Sequence, residues 1–174
     1  AIFSVNGPGQ ICKDGSLQLS AAGGDVYSWL PVSGLNNAGI ANPVASPSTT
    51  TDYTVTITES ICNQTQSLTT RLTIMPSPAI NAAKSNDIDC SNDRSQLVAT
   101  GAGQYSWTPS TTLNNPSVSN PVATPLTTTE YIVEGIDALG CKGYDTVTVK
   151  VDNINKGGYL MPSAFTPNND GLND

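Results

Sequence analysis

The chain has 174 residues with seven basic and 14 acidic side chains, which gives a net charge of -7. Binding to a nucleic-acid backbone relies on clustered Lys and Arg, and the seven basic residues of this chain are never adjacent, so we expect no nucleic-acid partner. No segment approaches the roughly 18 consecutive apolar residues of a membrane-spanning helix, so we expect no membrane insertion. Histidine is absent and no serine lies in a G-x-S-x-G setting, so the sequence offers no base or activated nucleophile and predicts neither an enzyme nor a cofactor.

Alternation of apolar and polar residues predicts an all-β fold. Residues 16–19, 53–58 and 146–151 alternate with a period of two, which is typical of half-buried antiparallel strands. Turn-forming clusters at 22–25 and 33–37 separate the strand-like segments at the spacing of a β-sandwich. No segment has the pattern of an amphipathic helix. The economical prediction is a seven-strand sandwich of about 75 residues, present twice.

An internal repeat with an offset of 78 residues is the basis for predicting two copies. The matching elements are Tyr27-Ser28-Trp29 with Tyr105-Ser106-Trp107, Leu35-Asn36-Asn37 with Leu113-Asn114-Asn115, Asn42-Pro43-Val44-Ala45 with Asn120-Pro121-Val122-Ala123, and Thr49-Thr50-Thr51 with Thr127-Thr128-Thr129. We therefore predict immunoglobulin-like domains at 1–75 and 79–151, joined by a proline-containing connection that favours an end-to-end arrangement. A second linker is predicted at 152–158, before a final segment at 159–174.

The four cysteines predict disulfides and hence an oxidising compartment, because their wide spacing does not fit a zinc site. Repeat symmetry selects Cys12 with Cys62 and Cys90 with Cys141, because each copy must be able to fold without its neighbour. Such a bridge closes a loop of about 50 residues and is worth roughly 4 kcal/mol in the chain-entropy model. A cross-link between the copies would contradict this hypothesis.

The repeated aromatic pairs allow two interpretations. Tyr27 and Trp29 lie two residues apart and so share one face of a strand, as do Tyr105 and Trp107. Packing in the sandwich core is the favoured role, and a sugar-stacking platform is the alternative.

Two polar groups of residues have side chains that could form binding sites. The threonine runs at 49–51 and 127–129 are expected to supply β-propensity on a solvated face, since adjacent threonines alternate between faces and make a poor flat array for ice or glycans. Asp87, Asp89 and Asp93 form an oxygen-rich stretch that suits calcium, but the equivalent positions of the first copy lack carboxylates, so a solvated loop is favoured and no metal is predicted.

The final 16 residues carry a specific motif that resembles the start of the C-terminal sorting domain of gliding-motility-associated surface proteins of Bacteroidetes. That domain is the address read by the type IX secretion system, in its type B form, and only its first segment is present. Asn169 stands where the family commonly has Gly. The matching residues are Pro162, Ala164, Phe165, Pro167, Asn168, Asp170, Gly171, Asn173 and Asp174.

The two copies are similar to the immunoglobulin-like or PKD-like repeats of the same proteins. The resemblance implies a secreted protein on the bacterial cell surface, with the type IX machinery and neighbouring repeats of the same chain as partners. It favours a non-catalytic adhesin or stalk module that spaces a functional head from the cell. The alternatives are a binding module for a surface glycan or protein and the accessory domains of a surface hydrolase.

Overall fold

The computed structural model describes residues 2–152, and this part of the chain is built of β-strands without a helix. It therefore contains no helix with the length and apolar character needed to cross a membrane. The first eight strands are β1 (Ser4–Val5), β2 (Gly9–Cys12), β3 (Leu17–Gln18), β4 (Ala21–Ala22), β5 (Val26–Leu30), β6 (Val44–Ala45), β7 (Thr51–Glu59) and β8 (Gln64–Met75). The next six are β9 (Asn81–Lys84), β10 (Ser95–Thr100), β11 (Gln104–Thr108), β12 (Val122–Ala123), β13 (Thr129–Ile136) and β14 (Lys142–Val149).

The largest sheet belongs to the first repeat and has the order β2-β8-β7-β5. The long hairpin β7–β8 forms its centre, β5 pairs antiparallel with β7, and β2 pairs parallel with the end of β8. The two-stranded sheets β1-β4 and β3-β6 complete the repeat. The antiparallel strands β5, β7 and β8 match the C, F and G strands of an immunoglobulin-like sandwich, and β5 carries the buried Trp29.

The second repeat forms the sheets β11-β13-β14 and β12-β10-β9. An isolated parallel bridge joins Ile88 to Val151. Shifted by the 78-residue period, this bridge is equivalent to the pairing of Gln10 with Thr73 in the first repeat. The predicted all-β, immunoglobulin-like sandwich class is confirmed.

Contacts divide the chain into two compact units. Among the described residues, unit 1 contains 2–80, 101–104 and 134–144, and unit 2 contains 81–100, 105–133 and 145–152. Unit 1 thus includes residues of the second sequence copy, among them the turn between β13 and β14. The domain boundaries predicted from the repeat, 1–75 and 79–151, stay a prediction.

The strand period explains which residues form the core. Tyr53, Val55 and Ile57 on β7 are fully buried. The threonines between them point to the other side of the sheet, where Thr54 and Thr56 make hydroxyl hydrogen bonds with β8. The buried cluster of the first repeat consists of Leu19, Ala21, Trp29, Ala45, Tyr53, Val55, Ile57 and Leu72. Burial of one β7 face thus holds the sheet to its neighbours and leaves the hydroxyl-rich face outside.

Candidate functional site: the disulfide of Cys12 and Cys141

The structure pairs Cys12 with Cys141, so the predicted pairing of Cys12 with Cys62 and Cys90 with Cys141 is wrong. The bridge joins residues 129 positions apart, with their Cα atoms 5.4 Å from each other. It lies within unit 1, yet it links the first sequence copy to the second. The premise behind the predicted pairing, that each copy closes its own bridge, is therefore also wrong.

Strand geometry gives the physical reason. Cys12 lies opposite Met75 at the end of β8, whereas Cys62 lies in the turn before β8 begins. Twelve residues of extended strand span about 40 Å, and a disulfide needs Cα atoms within about 7 Å. The Ile88–Val151 bridge places the Cys90 segment beyond the end of β14, whereas Cys141 directly precedes that strand. In both repeats the two cysteines belong to opposite ends of a strand.

The surroundings of the bridge combine apolar side chains with polar atoms. A cavity of about 220 Å³ beside it is lined by Gln10, Ile11, Cys12, Met75, Leu139 and Cys141. Cys141 is fully buried, which leaves its sulfur out of contact with solvent. Cys12 is only half-buried, so the burial of Cys141 shields one sulfur of the bridge from an attacking thiolate more than the other.

A carboxylate orders the turn that presents Cys141. Asp137 Oδ1 accepts hydrogen bonds from the backbone N–H groups of Leu139, at 2.8 Å, and Cys141, at 2.9 Å. The first repeat has a related arrangement, since Glu59 Oε1 accepts from the N–H of Ile61, at 3.0 Å, and Glu59 Oε2 accepts from the N–H of Cys62, at 2.8 Å. The bond from Cys62 is the main cause of the lowered pKa of Glu59. Cys62 carries a free, exposed thiol, and Cys90 is also exposed.

The repeated aromatics lie at the sandwich interior. Trp29 and Trp107 are 0% and 1% exposed, and their indole N–H groups donate to Ile40 O at 2.9 Å and Val118 O at 3.0 Å. Tyr27 is half-buried and its hydroxyl donates to Gly24 O at 2.7 Å; Tyr105 is also half-buried. Neither indole face is available for stacking against a sugar.

The Leu-Asn-Asn motif has a backbone role that the sequence did not indicate. Asn36 Oδ1 accepts the N–H of Val44 at 2.8 Å, and Asn114 Oδ1 accepts the N–H of Val122 at the same distance. Each asparagine thereby supplies a hydrogen bond to a short strand eight residues later. The recurrence of Leu-Asn-Asn in both copies is the sequence signal from which this structural role could have been predicted.

The three aspartates considered for calcium are each engaged locally. Asp87 accepts from Lys84 Nζ and from the backbone N–H of Lys150. Asp89 accepts the N–H groups of Ser91 and Asn92, and Asp93 forms an exposed ion pair with the neighbouring Arg94. Among residues 2–152 no three His, Cys, Asp or Glu side chains are grouped as metal ligands would be. The predicted sorting motif, between Pro162 and Asp174, lies outside the described residues.

No protein-family model and no curated protein sequence matches this chain. Solved structures resemble its fold at low identity. A 282-residue C-terminal fragment of intimin, in complex with the intimin-binding domain of Tir, is 10% identical with a TM-score of 0.44, over 86% of this chain and 64% of that one. A chimeric titin Z1Z2 is 11% identical with a TM-score of 0.35, over 86% of this chain and 96% of that one. The fibronectin(III)-like modules of Clostridium thermocellum CbhA are 9% identical with a TM-score of 0.35, over 91% and 99%. At such scores these likenesses assign no activity to this chain.

Proposed function

We propose that this chain is a non-catalytic extracellular module of a bacterial surface protein that bears mechanical load as a spacer between a functional head and the cell. The observation that carries the proposal is the bridge between Cys12 and Cys141. Tension applied to the two ends of the chain passes through this bond, so the 129-residue segment that it closes lies outside the path of the force. A covalent bypass of this kind keeps a spacer at constant length even if its strands open.

Two further observations support this role over the alternatives. Trp29 and Trp107 are buried in the core, which disfavours a sugar-stacking site. A disulfide-linked fold also favours an oxidising, extracellular setting over the reducing cytosol. A glycan array with the isolated chain separates the spacer from a glycan-binding module: we expect no glycan to bind, and a specific signal would favour the binding alternative.

Pulling on single molecules tests the spacer. Under oxidising conditions, unfolding should add little length, because the residues between 12 and 141 remain closed in a loop. With a reductant present, the same chain should lengthen by a further 450 Å or so, at about 3.5 Å per residue. Equal extension in both conditions would contradict the proposal, since the bridge would then bypass no force.

The proposed export route through the type IX system has a separate basis, namely the motif residues between Pro162 and Asp174. Surface proteolysis of the parent protein tests it in cells with and without that secretion system. We expect the protein to be accessible only in the cells that possess the system, and equal accessibility would exclude this route.

A further inference from the structure

The turns that carry Cys62 and Cys141 are equivalent parts of the two repeats but differ in their surroundings. With the 78-residue offset Glu59 matches Asp137 and Ile61 matches Leu139, and Cys62 matches Cys141 after one inserted residue. Both turns present the cysteine N–H to the carboxylate at 2.8–2.9 Å. A carboxylate at the end of the preceding strand thus binds the cysteine N–H in both turns, although the cysteine follows Glu59 by three residues and Asp137 by four.

Only one of these turns has a docking partner within the described chain. Cys141 is fully buried and bonded to Cys12, and Leu139 beside it lines the cavity with Ile11 and Met75. In the first repeat, Cys62 is exposed and Ile61 is 91% exposed, against 59% for Leu139. Ile61 and Cys62 thus correspond to Leu139 and Cys141, one apolar side chain and one cysteine, but they contact no equivalent surface in the described part of the chain.

We propose that the turn with Ile61 and Cys62 docks on a further copy of this module, at the end formed by Ile11, Cys12 and Met75, and that Cys62 forms a disulfide there. The bonded Cys141 turn identifies the partner of the Cys62 turn, because it shows that a turn of this kind lies against Ile11, Cys12 and Met75. The step removes two protons and two electrons from the two thiols and passes them to a small disulfide such as oxidised glutathione, which is reduced to two thiols. The inference rests on the repeat equivalence and not on the load-bearing role, so either can fail alone.

A three-copy chain provides the test, made by placing residues 1–78 in front of the full 174-residue protein. The new junction reproduces the natural one, because Pro78 is followed by Ala-Ile in both cases. Cys12 of the added copy then precedes the original Cys62 by almost the same separation as the 129 residues of the natural bridge. The added copy carries Cys62→Ala, so that the chain has a single Cys62, and after oxidation with glutathione we expect peptide mapping without reduction to find Cys12 joined to Cys62 as well as to Cys141.

The original bridge between Cys12 and Cys141 serves as the internal folding control. If that bridge forms while Cys62 remains open to alkylation, or joins a different cysteine, the proposal is wrong. A Cys12–Cys62 bond within a monomer identifies the added copy of the same chain as the partner, and a Cys12–Cys62 bond within a dimer identifies a copy in a second molecule. Both results support docking of the turn on this module end.

The variant Ile61→Ser, which adds no charge beside the thiol, separates docking from chance oxidation. It removes the apolar contact but leaves Cys62 and its presenting carboxylate in place. We expect bond formation to Cys12 of the added copy to slow by about fourfold, as expected for the loss of one apolar side chain that is buried only as far as Leu139, which is 59% exposed. An unchanged rate would contradict docking, because an exposed thiol that oxidises at random does not depend on its neighbour.

Discussion

Of the three aspartates in the predicted calcium-like stretch, Asp87 forms a long-range hydrogen bond, with the backbone N–H of Lys150. Its carboxylate accepts from Lys84 Nζ and from the N–H of Lys150 at 2.7 Å, while Lys84 Nζ also donates to Thr148 O at 2.6 Å. The bond from Lys84, followed by that from Lys150, lowers the pKa of Asp87. The ionised carboxylate thus joins the segment after β9 to the end of β14.

This lowered pKa predicts a pH dependence of stability. The folded protein holds the carboxylate ionised more strongly than the unfolded chain does, so the stabilisation is complete above the unfolded value of about 3.9 and is lost as the pH falls through the folded pKa. We expect Asp87→Asn to lower the urea midpoint at pH 7 and to flatten the fall in stability below about pH 4.

Asp93→Asn is the matched control for that measurement. Asp93 also has a lowered pKa, caused first by its hydrogen bond from Arg94, but its side chain is 81% exposed and the ion pair joins adjacent residues. An exposed pair of this kind contributes little to stability. If Asp93→Asn changed the urea midpoint as much as Asp87→Asn, the ties of Asp87 to β14 would not be the cause.

At the scale of the strand, the sequence predicted what depends on local period and missed what depends on distant partners. The buried row Tyr53, Val55 and Ile57 follows directly from alternation. The partner of Cys12 did not follow, because repeat symmetry does not reveal that Cys12 and Cys62 belong to opposite ends of β8. The prediction paired cysteines within one copy, whereas the parallel register of β2 and β8 places Cys12 opposite Met75, at the far end of β8 from Cys62.

The threonine runs also combine a local property that the sequence predicts with a long-range contact that it does not. They were expected to supply β-propensity, and the structure adds a specific long-range bond in each copy. Thr50 Oγ1 accepts the N–H of Ile74 at 3.0 Å, and Thr128 Oγ1 accepts the N–H of Val151 at 3.1 Å. Thr50 therefore holds the end of β8, and Thr128 holds the residue two positions beyond the end of β14.

Replacing Thr50 by valine tests this fastening. Valine keeps the β-branched shape and removes the acceptor, so the N–H of Ile74 loses its partner at a cost of about 1 kcal/mol. We expect the amide of Ile74 to exchange with solvent about fivefold faster, as measured by hydrogen exchange.

Thr49→Val provides the control, since Thr49 contributes its backbone carbonyl, which accepts from Thr51 Oγ1. We expect no change at Ile74 in this variant. Equal acceleration in the two variants would point to a general loosening of the run and would contradict a specific role for the Thr50 hydroxyl.

At the scale of the whole molecule, one covalent bond closes most of the described chain into a single loop. In the chain-entropy model, closing about 130 residues stabilises the folded state by roughly 5 kcal/mol. We expect the double variant Cys12→Ala/Cys141→Ala to lose stability of this order in urea unfolding. Alanine is preferred to serine because Cys141 is fully buried, and a hydroxyl there would add the separate cost of an unpaired polar group.

The matched control for this bond is Cys62→Ala, which removes an exposed thiol that takes no part in the bridge. Surface changes of this kind usually alter stability by less than about 0.5 kcal/mol. Either single variant, Cys12→Ala or Cys141→Ala, should lose nearly as much as the double variant, since each alone abolishes the same bond. If the double variant instead matched Cys62→Ala, the bridge would contribute nothing to folding, and its remaining role would be to carry force along the chain.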